Sequence, residues 1–198
     1  MNGAIVPTLS TPSSRSARDP AETDGGALLG HVPRRGEGGE VNILAFDLGT
    51  RTGWSRNLTT GQYVYGTLDL RGGRYAGGGM RYVLLGNELV TLLHDGIDLV
   101  VYEEVRRHLG VDAAHVYGGL LAVLTAACEK RKIPYQGVPV QTIKKHATTK
   151  GNADKAAMIA AASTMTVALS GLTSDEADAI CLLDYAVKTY KETPCSQP

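Results

Sequence analysis

The sequence predicts an α/β protein, a mixed β-sheet with helices packed against it. Two observations predict it. Short β-rich apolar runs (VNILAFD, IDLVVYEEV, IPYQGVPV) are interleaved with longer segments whose apolar residues recur at helical spacing. Their order is three strands, a helix, a strand, a helix, a strand and then helices. Two of the runs also end in carboxylates, at Asp47 and at Glu103–Glu104.

At 198 residues the chain has room for one domain with a sizeable core and not for two ordinary ones. Residues 1–40 read as a disordered tail. They hold four prolines, many Gly and Ser and no aromatic residue, too little apolar surface to offset chain entropy. The stretch lacks the apolar centre of a signal peptide. Its Ser/Arg-rich opening weakly resembles an organelle transit peptide, and a plain tail is the preferred reading. The folded domain is placed at 41–190, and KETPCSQP, residues 191–198, reads as a frayed end.

Within the domain, VNILAFD is a buried strand. TGWSRN and QYVYGTLDL are the next two, joined by NLTTG as a hairpin turn. RGGRYAGGG is a loop. MRYVLLGNELVTLLHDG is a helix with Gly96 as its C-cap. IDLVVYEEV is a strand, and VDAAHVYGGLLAVLTAACEKRK is a long helix, basic at its C-terminal end as the helix dipole favours. That helix reads as core with a dimer contribution. IPYQGVPV is a strand, QTIKKHATTKG a basic strip following it, and NADKAAMIAAAST a helix with Asn152 as N-cap. TSDEADAICLLDYAVKTY is a final helix capped by Thr173 or Ser174. Trp54, Tyr63 and Tyr65 read as sheet-face core. Isolated His94 and His108 lack partners at zinc spacing.

The formal charge is zero, with 20 basic and 20 acidic side chains, so any nucleic-acid footprint must lie in how the charges are distributed. Cys128, Cys181 and Cys195 show no CxxC spacing and read as reduced thiols. No apolar run approaches the roughly 18 residues of a membrane span. The expected setting is cytoplasmic, without a membrane partner.

Chemistry enters with FDLGTRTGWS, residues 46–55, where Asp47 follows an apolar run and precedes a Gly-Thr turn. Such a segment suits either a divalent metal on the carboxylate or a nucleotide phosphate on the turn. Other acids bear on the choice. Glu103 and Glu104 end a later strand and alternate in direction, so at most one shares a site with Asp47. Asp175 and Asp178, three apart, lie on one helix face. Acids gathered without a cation would raise one another's pKa values, whereas hard cations such as Mg²⁺ seek several carboxylate oxygens. Two such ions about 4 Å apart activate water and stabilise a leaving alkoxide in phosphodiester hydrolysis.

Taken in order, FDLGTRTGWS, LVVYEEV, VQTIKKHATTKGNADKAAM and SDEADAICLLDYA resemble the successive motifs of RuvC-type Holliday-junction resolvases, which are ribonuclease-H-like nucleases. The resemblance runs from about Val41 to Tyr190. It implies a ribonuclease-H-like fold and an endodeoxyribonuclease that resolves four-way junctions by paired symmetric nicks. It implies a homodimer, and Mg²⁺ as cofactor with Mn²⁺ able to substitute. By motif the metal ligands and catalytic acids are Asp47, Glu103, Asp175 and Asp178, with Lys144 as a further catalytic residue. Lys144, Lys145, Lys150, Gly151, Asn152 and Lys155 form the implied DNA contacts, and Arg106 and Arg107 add a basic pair. The bacterial resolvases carry an aromatic residue after the strand-four glutamate; the matching stretch here is Val105, Arg106, Arg107, His108. Alternatives are a related nuclease of broader branched-DNA or RNA specificity, or an actin-like ATPase or sugar kinase. Only about 155 folded residues and no second phosphate loop argue against the last.

Overall fold

Why buried strands end in acids becomes clear from which face each residue takes. A computed structural model of the chain describes residues 41–58, 60–93, 96–106, 110–166 and 171–191. The expected tail 1–40, the frayed end apart from Lys191, and His94, Arg107, His108 and Cys195 lie outside the described residues.

Five strands form one sheet: β1 (Ile43–Asp47), β2 (Arg51–Asn57), β3 (Tyr63–Asp69), β4 (Leu99–Glu104) and β5 (Tyr135–Pro139), in the order β3-β2-β1-β4-β5. β1, β2 and β3 pair antiparallel; β1, β4 and β5 pair parallel. The helices are α1 (Met80–Leu92), α2 (Val111–Arg131), α3 (Val140–Thr148), α4 (Lys155–Met165) and α5 (Ser174–Lys191).

Both faces of the sheet are covered, so β1 is apolar throughout rather than alternating. Ile43 and Ala45 of β1, with Leu99 and Val101 of β4, pack in the core formed with α3, α4 and α5. Leu44, Phe46 and Val100 pack in a second core with α1 and α2. Continuing this alternation one residue further puts Asp47 and Glu103 on the α5 face and Glu104 on the other. Trp54 belongs to the α1–α2 side, and Tyr63 and Tyr65 pack on the α5 side.

Four local expectations change. The first concerns α1, which stops at Leu92 with Leu93 as its C-cap. Gly96, at φ 103°, sits in the turn beyond, and its carbonyl accepts from the Asn42 side chain at 2.8 Å. The second concerns the basic strip after β5, which is itself a helix, α3, nine residues long and anchored by buried Ile143. Its β-branched Val140, Thr142 and Ile143 weaken a helical signal, and tertiary packing overrides them. The third is the cap of α4, supplied not by Asn152 but by Asp154, whose carboxylate accepts from the Ala157 amide at 2.8 Å.

The fourth is α2, the one helix among the described residues that is long and apolar enough by composition to cross a membrane, with mean hydropathy 1.4. Its Val and Leu residues, with alanines between them, carry that value. Leu120, Leu124 and Cys128 are its buried residues, and they lie in the sheet core.

Candidate active site

The acid-ended strands and the last helix meet at one end of the sheet. Register pairs Phe46 with Tyr102, and the next residue on each strand is an acid, Asp47 on β1 and Glu103 on β4. Helix α5 brings Asp175 and Asp178 over them. Its start is a capping box: the Glu176 amide donates to Thr173 Oγ1 at 3.3 Å, and Glu176 Oε2 accepts from the Thr173 amide at 2.9 Å. Glu176 therefore does the capping, and Asp175 is left for the site.

The electrostatics show that these acids feel one another. Burial pushes the Asp47 carboxyl well above its ordinary range, and the charges of Glu103, Asp178 and Asp175 push it further, with Lys155 opposing. Burial likewise raises Glu103 to about 7, with Asp178 adding and Lys144 opposing. Asp178 is raised by burial and by Asp175, against Lys144 and Lys155. A protein without other need for them would not gather acids at such cost.

A cleft of about 140 Å³ has Glu103, Asp178, Lys144 and Lys155 on its walls and Ile143 and Met158 among its apolar lining. Lys144 reaches it from α3 and is held by donating to the Ala153 carbonyl at 2.8 Å. Lys155 enters from the first position of α4. Lys145 and Lys150 are exposed, as is Asn152, while Gly151 is half-buried in the turn between α3 and α4. The α4 N-terminus already holds a carboxylate, that of Asp154. Glu104, on the opposite face, pairs with exposed Arg106 at 3.2 Å.

Two contributors were not legible in the sequence. Arg51, exposed on β2, pairs through Nε with Asp175 at 3.2 Å. Its signal was parity: residues 51, 53 and 55 share the face under α5, where Ser55 donates to the Ala179 carbonyl at 2.7 Å. Tyr117 of α2 donates to the Glu103 carbonyl at 2.8 Å and accepts from the Val105 amide at 3.3 Å, pinning the end of β4. His146, within the basic strip that follows β5, turns inward. It meets the buried Asp184 carboxylate at 2.7 Å, where Lys188 and Tyr63 also donate. Nothing local in the sequence announces a pair 38 residues apart.

The Gly-Thr turn after Asp47 closes on itself. The Gly49 amide donates to Thr52 Oγ1 at 3.2 Å, and that hydroxyl donates to the Gly49 carbonyl at 2.8 Å. That amide is thus not offered to a phosphate. Gly53 is no turn residue but lies within β2, paired with Asp47. By chemistry, the carboxylates of Asp47, Glu103, Asp175 and Asp178 suit a hard divalent cation. Among the described residues, no three His, Cys, Asp or Glu side chains stand close enough together to hold a metal ion as they are placed.

No protein-family model and no curated protein matches the chain by sequence. Solved structures do match by shape. The Thermus thermophilus RuvC structure superposes with a TM-score of 0.64 at 16% identity, over 76% of this chain and 96% of that one. T. thermophilus RuvC in complex with Holliday junction substrate superposes with a TM-score of 0.66 at the same identity and coverage. The fold is ribonuclease-H-like. At that identity the likeness carries architecture alone, and the chemistry has to be argued from the residues.

Proposed function

We propose that this chain is a divalent-metal-dependent endonuclease acting on branched DNA, and that four-way junctions are its substrate. One observation carries the reading: Asp47, on β1, feels the charges of Glu103, Asp175 and Asp178 from two other elements, and Glu103 and Asp178 line a cleft with Lys144 and Lys155. The ribonuclease-H-like frame supports it, as does the similarity to a RuvC that has been solved with Holliday junction substrate.

In this reading the four acids hold Mg²⁺ or Mn²⁺, which when bound lowers the pKa of water and offsets charge on a departing oxygen. Asp47 and Glu103, on paired strands, give the rigid half of the ligand set; Asp175 and Asp178 give the half borne by α5. Lys144, fixed by the Ala153 carbonyl, sits ready to offset charge that develops on phosphate oxygens. Lys155 balances Asp47 and Asp178. Lys145, Lys150, Gly151, Asn152 and the Arg106–Arg107 pair would meet the DNA backbone. Two symmetric nicks call for two sites, and a homodimer supplies them. Val83 and Val90 of α1 and Val111 of α2 are exposed, an apolar surface a second copy would cover.

The test is cleavage of a labelled four-way junction, a linear duplex and an RNA in Mg²⁺ and in Mn²⁺. Paired symmetric nicks in the junction, lost in Asp47→Asn, are the expected result. Cutting of RNA alone, or of nothing with any divalent metal, would overturn the reading.

A further inference from the structure

Between β3 and α1 the chain runs LRGGRYAGGGMR, residues 70–81, with three arginines, five glycines and no acid. This loop separates two adjoining grooves of about 510 and 320 Å³ that share Arg71, Gly72 and Gly73. Arg71 is fixed by Asp69, its Nε donating at 2.8 Å, and Arg81 Nε donates to the Gly78 carbonyl at 2.9 Å. Those two arginines shape the loop. Arg74 is different: its guanidinium lies 5.8 Å over the ring of Tyr75, and Tyr75 is 93% exposed. An aromatic ring presented to solvent beside a stacked cation gains nothing for the fold.

The glycines point the same way. A Cβ on Gly73, Gly77, Gly78 or Gly79 would meet nothing within 4 Å, and none of the four is at positive φ. Neither packing nor turn geometry therefore requires glycine there. What glycine does supply is bare backbone that a ligand can approach closely. The smaller groove extends to the turn after Asp47. Thr50 lines it and accepts from the Leu70 amide at 2.8 Å, and the next residue, Arg51, is the one paired with Asp175.

We infer that the 70–81 loop is a second DNA-contact surface, on which an unpaired base stacks on Tyr75 while Arg74 meets the adjoining phosphate. Arginine beside an exposed aromatic is the chemistry of a single-strand platform, since every base has a π-face. The surface would take the unstacked nucleotides where strands diverge and lead them past Arg51 to the cleft. This inference rests on the nuclease reading above.

Binding is measured by anisotropy, in chelator so that no cutting occurs, on a four-way junction, a single strand and a fully paired duplex. The junction carries 2-aminopurine at its branch point, and the single strand carries it internally. Tyr75→Ala is expected to weaken binding of junction and single strand by about five- to fiftyfold and to abolish the 2-aminopurine fluorescence change. Tyr75→Phe should behave as the wild type, and the duplex should be indifferent to either change. Arg74→Ala is expected to lower the salt slope by about one on every substrate. Because Tyr75 is almost wholly exposed, circular dichroism should be unchanged in both Tyr75 variants. If Tyr75→Ala binds all three DNAs as the wild type does, the platform is wrong and the nuclease reading stands. If the wild type itself binds none of them, the nuclease reading fails and the platform with it.

Discussion

Gly53 of β2 and Asp175 of α5 touch backbone to backbone: a side chain on Gly53 would sit inside the carbonyl of Asp175. The first turn of α5 can lie over the sheet only because β2 has no Cβ there. That contact sets the height of Asp175 above Asp47, the register partner of Gly53. Gly53→Ala should destabilise the protein by about 1–3 kcal/mol and lift the start of α5. Calorimetry and cleavage assays check this together, and cleavage should fall further than the lost folded fraction accounts for.

The acids themselves set a pH dependence. Glu103 titrates at about 7 in the folded chain against 4.5 ordinarily, so its proton is held more tightly when folded. Its contribution is therefore fully present below about pH 4.5 and is lost as pH rises through 7. With chelator present, Tm should fall between pH 5 and 8, and Asp178→Asn should flatten that fall by removing the charge that repels Glu103. Adding Mg²⁺ should restore Tm, most at the alkaline end. A flat, metal-independent profile would contradict the shared-site electrostatics.

Lys144 has two roles that one pair of variants separates. Lys144→Met should lower the nicking rate by about 10²–10³ while junction affinity changes little. It also gives up the bond to the Ala153 carbonyl, worth about 1 kcal/mol in unfolding. Lys144→Arg should recover more stability than rate, because a charge returns without the same placement.

Asp184 is buried yet ionised, its carboxyl held below the ordinary range: burial works against this, and the bonds from Lys188, His146 and Tyr63 outweigh burial. The stability it gives is present above its unfolded pKa, near 4, and disappears as pH falls through the lower folded value. Asp184→Asn should cost about 1–3 kcal/mol at pH 7, and the gap from wild type should close below about pH 4. Urea titrations across that range make the comparison.

Val83 and Val90 lie seven residues apart on the outer face of α1 and are 55% and 64% exposed. Val83→Lys with Val90→Lys should convert a dimer to a monomer in light scattering without lowering Tm of the isolated subunit.

The sheet could be read from the sequence because its central strands are buried on both faces and so appear as unbroken apolar runs. The acids could be read because carboxylates at the ends of such runs are costly without a purpose. Helix α3 could not, since Val140, Thr142 and Ile143 favour extended backbone until Ile143 finds the core beneath α5. Arg51 escaped because one arginine in a hairpin has no periodicity, and only the docking of α5 brings Asp175 to it. The same holds for His146 and Asp184, whose partnership exists only once α3 and α5 are side by side.

The division of the acids between sheet and last helix has a consequence in time. By Glu104 a growing chain already contains Asp47 and Glu103, but Asp175 and Asp178 arrive some seventy residues later. Helix α5 packs on β1, β2, β3 and β4 as well as on α3 and α4, so it docks on a scaffold that must come first. A chain interrupted during synthesis, or clipped before Thr173, would keep the strand acids and lack the helix pair. Under the proposed function a half-made copy would lack half of its ligand set, because the element that completes the site is also the one that docks last on the finished sheet.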